Sequence, residues 1–276
     1  YDAPDARQLV DLGDRVGQIV TISSASVYRD EAGRTLDEAR ANGFPQLPVP
    51  ITEDQPVVAP GPATYSTRKV SMERDLLDHA RVPVAVLRPC AIHGPHSRHP
   101  REWWFVKRLL DCRDAIPLAY GGQSRFQTTA TANIAALVSA VAAVPTTGIF
   151  NAADPDAPNL AEIAAAIFAA TGRSARLLAD PDSAYPPRTG TSPWSIPAPF
   201  VLSDAAARAI GYRPVGDYAA TVAAACEWLM RHASGGWERH FPVLASYPWN
   251  LFDYAAEDRW IARHGPATLP PGAAII

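Results

Sequence analysis

The chain has 276 residues, 47% of them hydrophobic, and a formal net charge of −3, which is enough apolar material for one large or two small cores. The charge gives no electrostatic case for nucleic acid or an anionic membrane, no apolar run approaches the ~20 residues that span a bilayer, and the polar, acidic start is unlike a signal peptide. The three cysteines, Cys90, Cys112 and Cys226, are far apart, which favours reduced thiols in the cytoplasm over a disulfide framework.

The first third of the chain alternates helical and strand-like patterns. Residues 5–13 predict a short helix, and residues 18–28 predict a buried parallel strand that runs into small hydroxyl residues. Residues 29–63 are rich in proline, glycine and charge and predict a long surface excursion. A helix over 64–79 and an apolar strand over 82–89 then complete a crossover unit of a parallel sheet.

The same alternation continues towards the C-terminus and indicates an α/β fold with a mostly parallel sheet. The later helices are expected to form a smaller lobe over the carboxyl ends of the strands, where such sheets bind ligands. The predicted elements are helices over 102–111, 133–144, 159–171, 203–210 and 217–232, a strand over 148–153, and a proline-rich connection over 181–199.

Tyr65 and Lys69 are the first candidates for chemistry. They lie four residues apart at the start of a predicted helix, so their side chains share a face. A nearby ammonium favours a phenolate, which predicts a lowered pKa for Tyr65 and a phenol able to exchange a proton with a hydroxyl carbon or a ketone as a hydride moves. The alternative is a chance pairing on an ordinary helix.

Three serines follow the first predicted strand, where α/β sheets place catalytic groups. Ser23, Ser24 and Ser26 could bring a hydroxyl to the reacting oxygen, or they could simply form a turn. The strand over 82–89 runs into LRPCAIHGP, which brings a second loop to the same edge of the sheet.

The order of these motifs resembles the extended short-chain dehydrogenase/reductase family of nucleotide-sugar epimerases, dehydratases and reductases. TISSASVY, TEDQPV, YSTRK and LRPxxIxGP occur in the family's order, and SRFQTTATANIAALV, FNAADPDAPNLAEIAAAIFAATG and DAAARAIGYRP resemble its later segments. The resemblance covers roughly residues 5–232. It implies a Rossmann-type sheet, NAD or NADP as cofactor, a small-molecule substrate, and a homodimer that pairs through the outer face of helix 64–79.

Carried over position by position, the resemblance implies functional residues. Ser24, Tyr65 and Lys69 match the catalytic set, and Arg125 matches an arginine that often holds a nucleotide phosphate. Pro89 and Cys90 match positions whose backbone lies beside the nicotinamide. The full implied set adds Ser23 and Ile92, with Tyr65 and Lys69, as cofactor contacts, and Ser26 and His93, with Arg125, as substrate contacts.

The glycine-rich dinucleotide fingerprint of the family is absent from the sequence, and the glycine pairs at 121–122 and 235–236 lack the strand before and helix after that it requires. We therefore expect that turn, with about three strands, upstream of Tyr1. On this view residues 1–155 are the C-terminal portion of the dinucleotide-binding domain with some lobe insertions, 156–265 are mainly the substrate lobe, and 266–276 are a disordered tail.

Other departures concern the substrate. Dehydratases of the family carry an Asp–Glu pair where this chain has Ala25–Ser26, Ala91 replaces a common asparagine, and His93 replaces the usual aromatic residue. Thr131-Ala132-Asn133 replaces a Val-Asp-Asp stretch, and the segment over 30–50 is longer than usual. These changes weaken a simple sugar-nucleotide assignment.

Three histidines at intervals of three, His93, His96 and His99, invite a zinc interpretation. Glycine and prolines in HGPHSRHP exclude a regular helix, so the spacing defines no shared face, and we predict a substrate-facing loop and no metal. Trp103 and Trp104 are expected to pack the small lobe, with a ring-stacking role as the alternative.

Three functions are compatible with these observations. The first is an NAD(P)-dependent epimerase or reductase that transfers a hydride at a secondary alcohol, with Tyr65 as acid and base. The second is a non-catalytic dinucleotide-binding sensor, although such relatives usually lose the tyrosine or the lysine. The third is an RNA-binding offshoot of the fold, against which the acidic balance and the lack of a basic stripe argue.

Overall fold

The computed structural model describes residues 3–180, 189–232 and 236–264. No helix in these stretches is long and apolar enough to cross a membrane. The helices are α1 (Ala3–Val10), α2 (Ala39–Asn42), α3 (Tyr65–His79), α4 (Trp103–Leu110), α5 (Thr131–Ala143), α6 (Leu160–Thr171), α7 (Ala205–Ala209), α8 (Tyr218–Arg231), α9 (Trp237–His240), α10 (Pro242–Ala245) and α11 (Tyr254–His264). The strands are β1 (Ile19–Ile22), β2 (Val84–Pro89), β3 (Ala91–His93), β4 (Ala115–Ala119), β5 (Thr128–Ala130), β6 (Gly148–Ala152) and β7 (Arg176–Asp180).

The chain divides into two compact units of similar length, each assembled from three segments. The sequence predicted one boundary at residue 155 with some lobe insertions, whereas the two units alternate along the chain. Unit 1 comprises Tyr1–Ala91, Thr131–Pro155 and Phe200–Val215, and unit 2 comprises Ile92–Ala130, Asp156–Pro199 and Gly216–Ile276.

Unit 1 is built on a parallel sheet with the strand order β1-β2-β6. Ile19 pairs with Val84 at the start of the β1–β2 ladder, and Leu87 pairs with Phe150 in the β2–β6 ladder. The central strand β2 is buried along its whole length, as expected of a parallel strand covered on both faces. The predicted α/β class with a mostly parallel sheet is confirmed.

The two faces of this sheet are packed by different helices. Successive side chains of a strand point to opposite faces. Val84 and Val86 therefore join a cluster with α1 and α3, to which Met72 contributes. Ala85 and Leu87 join a second cluster with side chains of α5 and α7. Both predicted helices around the crossover unit thus bury an apolar side against β2.

Unit 2 contains two short strand pairs, β3 with β5 and β4 with β7, and the latter pair is parallel. Its core is rich in aromatic side chains from α4, α6, α8 and the segment after α8. Trp103 and Trp104 are 2% and 0% exposed within this core, so their predicted packing role is confirmed. The sequence pattern did not reveal β3, β4, β5 or β7, which are three to five residues long.

Residues 29–63 depart from the predicted surface excursion. They contain the short helix α2, and Ile51 is fully buried. The backbone of Ile51 bonds to Val201 and Ser203, which ties the segment into unit 1. Buried Asp30 closes the loop by accepting bonds from the backbone N–H groups of Arg34 (2.8 Å) and Gln46 (2.9 Å). The predicted tail over 266–276 lies outside the described residues.

Candidate functional site

Helix α3 begins at Tyr65 because Thr64 caps it. The Thr64 hydroxyl accepts a bond from the Thr67 N–H (3.2 Å), and the Thr67 hydroxyl accepts one from the Thr64 N–H (2.8 Å), which forms a reciprocal capping box. Tyr65, Lys69 and Glu73 then follow at intervals of one turn and share a face. Exposure falls along this row, from 47% at Tyr65 to 6% at Lys69 and 2% at Glu73.

The hydroxyl residues after β1 form a connected cluster. Ser24 caps a short 3₁₀ turn in extended backbone conformation, and its Oγ accepts a bond from the Ser26 N–H at 3.2 Å. The Ser24 hydroxyl lies 3.0 Å from the Ser26 hydroxyl, to which it donates. Ser66, the second residue of α3, donates to the same Ser26 oxygen at 2.8 Å. The end of β1 and the start of α3 are therefore joined through side chains.

The Tyr65 phenol lies close enough to the Ser24 hydroxyl and to Asp37 to be affected by both. The pKa of Tyr65 is raised above its usual value by partial burial and by the negative charge of Asp37, while the bond to the Ser24 hydroxyl opposes the rise. The prediction of a lowered pKa is wrong for this structure, because burial raises the pKa of Tyr65, while the Lys69 ammonium lies 5.7 Å from the centre of the phenol ring. Tyr65 is therefore a protonated phenol at neutral pH.

Lys69 is anchored at the end of β1. Its ammonium donates to the carbonyl oxygen of Ile22 at 3.0 Å. Burial lowers the pKa of Lys69, and the charges of Glu73 and Asp5 oppose that effect. Nearby carboxylates thus favour the charged form of the lysine in a position with little access to water.

A buried polar network lies beneath these residues, and the sequence analysis missed it. Glu73 accepts bonds from the Ser23 hydroxyl and from Arg88, whose Nε and Nη2 lie 3.1 Å and 2.6 Å from its two oxygens. The Arg88 guanidinium also lies 5.0 Å from the ring centre of Tyr28. The Tyr28 hydroxyl donates to Asn151 at 2.7 Å on β6. The signal was present in the sequence as a glutamate one turn beyond Lys69.

Asp37 is a second residue that the sequence analysis passed over. Its carboxylate accepts a bond from the Ser66 N–H at 2.7 Å, in the first turn of α3. A carboxylate at this place complements the positive end of the helix dipole. Because Asp37 lies in the long segment between Ser24 and Tyr65, no short motif could have indicated the contact.

Of the remaining residues implied for the cofactor, Ser23 directly follows β1, and the others lie at or after the end of β2. Ser23 is 3% exposed, and its hydroxyl is committed to Glu73. Pro89 is the last residue of β2 and pairs with Ala152. Cys90 is half-buried directly after β2, and Ile92 is half-buried in β3.

Two residues implied for the substrate, His93 and Arg125, belong to unit 2. His93 is only 1% exposed, and its ring lies 4.9 Å from that of Tyr218. The Tyr218 hydroxyl lies 3.5 Å from buried Glu102, whose pKa is raised by burial. Arg125 is exposed and donates to the carbonyl oxygen of Ala157 at 2.5 Å.

The three histidines of the HGPHSRHP segment are not brought together on one centre. His93 packs on Tyr218, while His96 and His99 lie 5.4 Å and 5.6 Å from the rings of Trp228 and Tyr247. Among the described residues, no group of three or more histidine, cysteine, aspartate or glutamate side chains could hold a metal ion.

Parallel strands, crossover helices on both faces of the sheet and polar residues at the strand ends define a Rossmann-type α/β fold. Neither a protein-family model nor a curated protein matches the sequence. Solved structures match it at low identity. The UDP-glucuronic acid 4-epimerase from Bacillus cereus, in complex with UDP-glucuronic acid and NAD, is 16% identical with a TM-score of 0.58 and covers 82% of this chain and 66% of its own.

Two further solved structures agree with that one. The UDP-N-acetylglucosamine 4-epimerase from Bacillus cereus is 18% identical with a TM-score of 0.60, over 82% of this chain and 70% of its own. The Bordetella bronchiseptica enzyme WbmG, in complex with NAD and UDP, is 17% identical with a TM-score of 0.57, over 83% of this chain and 64% of its own.

These likenesses show the fold, and they confirm the resemblance noted in the sequence at that level: the chain has the fold of solved nucleotide-sugar epimerases. The chain spans just under two thirds of the length of the UDP-glucuronic acid 4-epimerase and WbmG structures, at 66% and 64%.

Proposed function

We propose that the chain belongs to an NAD(P)-dependent enzyme that transfers a hydride at a secondary alcohol or ketone of a sugar or nucleotide sugar, as an epimerase or a reductase. The observation that carries this proposal is the Tyr65 phenol, which lies near the Ser24 hydroxyl and beside the buried Lys69 ammonium at the carboxyl end of β1. Open α/β sheets bind ligands at this edge. The solved structures with NAD and UDP ligands support the same assignment.

The hydrogen-bond donors of Lys69 and the backbone after β2 suit the nicotinamide and ribose half of a dinucleotide. An ammonium carries three N–H donors, and Lys69 directs one of them to Ile22. A ribose hydroxyl is a fitting partner for such a donor. The backbone at Pro89 and Cys90 follows the neighbouring strand β2, where the nicotinamide contact was predicted. When bound, the cofactor would accept or supply the hydride.

The proton steps are assigned to Tyr65 and Ser24. A phenol with a raised pKa holds its proton at neutral pH and can give it to an oxygen that gains negative charge. In the reverse direction the phenolate left by that transfer would take the proton back from the same oxygen. When substrate is bound, the Ser24 hydroxyl would turn its single proton from Ser26 to the reacting oxygen and hold that oxygen in line.

Substrate binding by Ser26, His93 and Arg125 remains part of the proposal. Exposed Arg125 can meet an anionic group. His93 would need its surroundings to open before it touched a ligand, because it is 1% exposed.

Assembly as a homodimer through the outer face of α3 is likewise proposed. The inner face of α3 packs against α1, where Ala6 meets Met72 and Leu76, so the contact surface must lie elsewhere on the helix. Light scattering of the complete protein tests this assembly, and a monomer would contradict it.

Tyr65→Phe tests the proposal directly. It keeps the ring but removes the group that exchanges the proton, so single turnover should fall ~10²-fold or more while cofactor affinity stays nearly unchanged. Ser24→Ala should reduce turnover less, since a water can replace a hydrogen bond, and Lys69→Met should weaken both turnover and cofactor binding. The measurements are cofactor titration and single-turnover kinetics on the complete protein.

Tyr212→Phe is the matched control. Tyr212 is a buried tyrosine of unit 1 in the cluster with α5 and α7, so its loss of a hydroxyl should leave turnover unchanged. Wild-type turnover in Tyr65→Phe would overturn the assignment of the acid and base. Cofactor binding without hydride transfer to any alcohol or sugar nucleotide would favour the non-catalytic sensor.

A further inference from the structure

Glu73 is the centre of the buried network in unit 1. The side chains of Ser23, Glu73 and Arg88 are each at most 3% exposed. Arg88 approaches both carboxylate oxygens of Glu73 in a bidentate pair, and Ser23 donates to the oxygen that also receives the Arg88 Nε. Three elements therefore meet at one carboxylate: the end of β1, helix α3 and strand β2.

This carboxylate is adjacent to both halves of the proposed catalytic set. Lys69 lies one helical turn before Glu73, and its charged form is favoured by the Glu73 carboxylate. Ser23 directly precedes Ser24 in the chain, so the bond from Ser23 to Glu73 holds the backbone that presents Ser24. Polar or charged groups that also face Lys69 include Asp5 of α1, the Tyr65 phenol and the Ile22 carbonyl.

Stability alone is a weak reason for such a pair. Removing two ions from water costs several kcal/mol each, and apolar side chains of similar volume often replace a buried pair without loss. If stability were the only requirement, apolar side chains could therefore take the places of Arg88 and Glu73. What apolar residues cannot supply is a fixed negative charge beside a buried ammonium.

We propose that Glu73, held in place by Arg88, is a positioning residue of this site: it keeps Lys69 charged and fixes the turn that presents Ser24. The proposal rests on the proposed function for its consequence in turnover. The effect of Glu73 on the titration of Lys69 can be measured whether or not the protein catalyses a reaction. Glu73 itself touches neither substrate nor cofactor and acts through Lys69 and Ser23.

The test measures the titration of Lys69 by competitive amine labelling of the complete protein, followed by peptide mass spectrometry across pH. In Glu73→Gln the carboxylate charge is removed, so the pKa of Lys69 should fall below that of the parent. Asp75→Asn is the matched control, because it removes a negative charge from the same helix at a site that pairs with Arg7 at 3.5 Å. It should leave the Lys69 titration unchanged.

A second variant covers the case in which Glu73→Gln unfolds because Arg88 is left buried and unpaired. The double replacement Glu73→Leu with Arg88→Met removes both charges and keeps the volume, so the protein should fold with little change in thermal midpoint. Lys69 should still label as a weaker base than in the parent. If turnover is present, kcat should fall on the order of tenfold with the cofactor KM little changed, and the alkaline limb of the pH profile should move to lower pH.

The outcomes separate the two proposals. An unchanged Lys69 titration in the folded double variant would overturn the role given to Glu73, whatever the activity. A lowered Lys69 pKa in a protein that never transfers hydride would support that role while the proposed function failed. An equal shift in Asp75→Asn would show a general charge effect along α3 and would also overturn the proposal.

Discussion

Within the part of the chain that the structure describes, each unit contains a buried arginine–glutamate pair, and the two pairs differ in what they join. In unit 1, Arg88 and Glu73 are 15 residues apart and connect β2 to α3 next to Tyr65 and Lys69. In unit 2, Arg108 and Glu257 are 149 residues apart and connect α4 to the C-terminal helix α11. The chemistry is the same, but the first pair lies one helical turn beyond Lys69, a residue of the proposed catalytic set.

In unit 2, Arg108 of the pair also bonds to backbone carbonyl groups and packs on an aromatic ring. Arg108 also donates to the carbonyl oxygens of Trp104 (2.7 Å) and Leu251 (2.8 Å), and its guanidinium lies 3.6 Å from the ring centre of Trp104. The donors of Arg108 are thus shared between its own helix and the segment before α11. The two pairs are alike in burial and geometry, so these properties do not show whether a pair positions a reacting group or anchors a helix. The residues around each pair show which role it has.

The largest expected effect comes from breaking the anchor. Glu257→Ala leaves Arg108 buried without its carboxylate, which should lower the free energy of unfolding by about 3–5 kcal/mol. Urea unfolding followed by intrinsic fluorescence measures the loss. Glu238→Ala removes an exposed glutamate of the same unit and should change the stability by less than about 0.5 kcal/mol. Equal losses in the two variants would contradict the anchoring role.

Replacing both partners sharpens the comparison. Arg108→Met with Glu257→Leu removes two buried charges together, so stability should return to near the parent value. Turnover should also be unchanged. The corresponding double replacement at Glu73 and Arg88 should likewise fold but should lose turnover. If both doubles behaved alike in turnover, the contrast between an anchor and a positioning pair would be wrong.

Local patterns were sufficient to predict much of unit 1. The β-branched run before TISS, the apolar run of β2 and the helix between them carry their periodicity in consecutive residues, so the boundaries of α3 and β2 were predicted to within two residues. Tyr65, Lys69 and Ser24 could be placed at one edge because parallel strands present their carboxyl ends together.

The rest depends on contacts that no local pattern records. Asp37 reaches the first turn of α3 from 29 residues away. Burial, to which the charge of Asp37 adds, raises the pKa of Tyr65 where the sequence predicted a lowering. The Arg88–Glu73 pair is set by the register of α3 on β2, which the hydrophobic pattern leaves open. In unit 2, β4 and β7 are short and far apart in the chain. The sequence of each is typical of a loop, and the pairing of the two strands is seen only in the structure.

The next prediction concerns the dependence of the free energy of unfolding on pH, which should be affected by His99 in unit 2. Burial, with the charge of Arg101, lowers the pKa of His99 to about 3, and the ring nitrogen Nε2 lies 2.9 Å from the Tyr247 hydroxyl. An unfolded histidine titrates near ~6.5. As the pH falls, His99 is therefore protonated in the unfolded chain before it is protonated in the folded protein. The stability that neutral His99 contributes is complete above about pH 6.5 and is lost as the pH falls towards 3.

Unfolding at pH 6.5 and at pH 5 measures that loss, which should reach about 2 kcal/mol. His99→Gln cannot titrate and should flatten the dependence over this range. His79→Gln changes an exposed histidine of unit 1 and serves as the control, with the parent's dependence retained. A pH dependence that survives in His99→Gln would assign the effect to other groups.

The smallest expected effects come from a matched pair of helix caps. Thr64 caps α3 in unit 1 and Asn159 caps α6 in unit 2, and both form reciprocal capping boxes, with Thr67 and Glu162. Replacing either cap by alanine should cost about 1 kcal/mol of stability, since one N–H of the first turn loses its acceptor. Thermal unfolding measures both losses under the same conditions.

Turnover should separate these two caps although stability does not. Tyr65 is the first residue of α3, so a frayed first turn in Thr64→Ala moves the phenol relative to Ser24, and small misplacements of a reacting group are costly. Asn159→Ala frays a helix that carries no proposed catalytic residue, so its turnover per folded molecule should equal that of the parent. Equal turnover in both variants would mean that the position of Tyr65 is set by packing and by the Ser66 bonds to Asp37 and Ser26, and not by the cap.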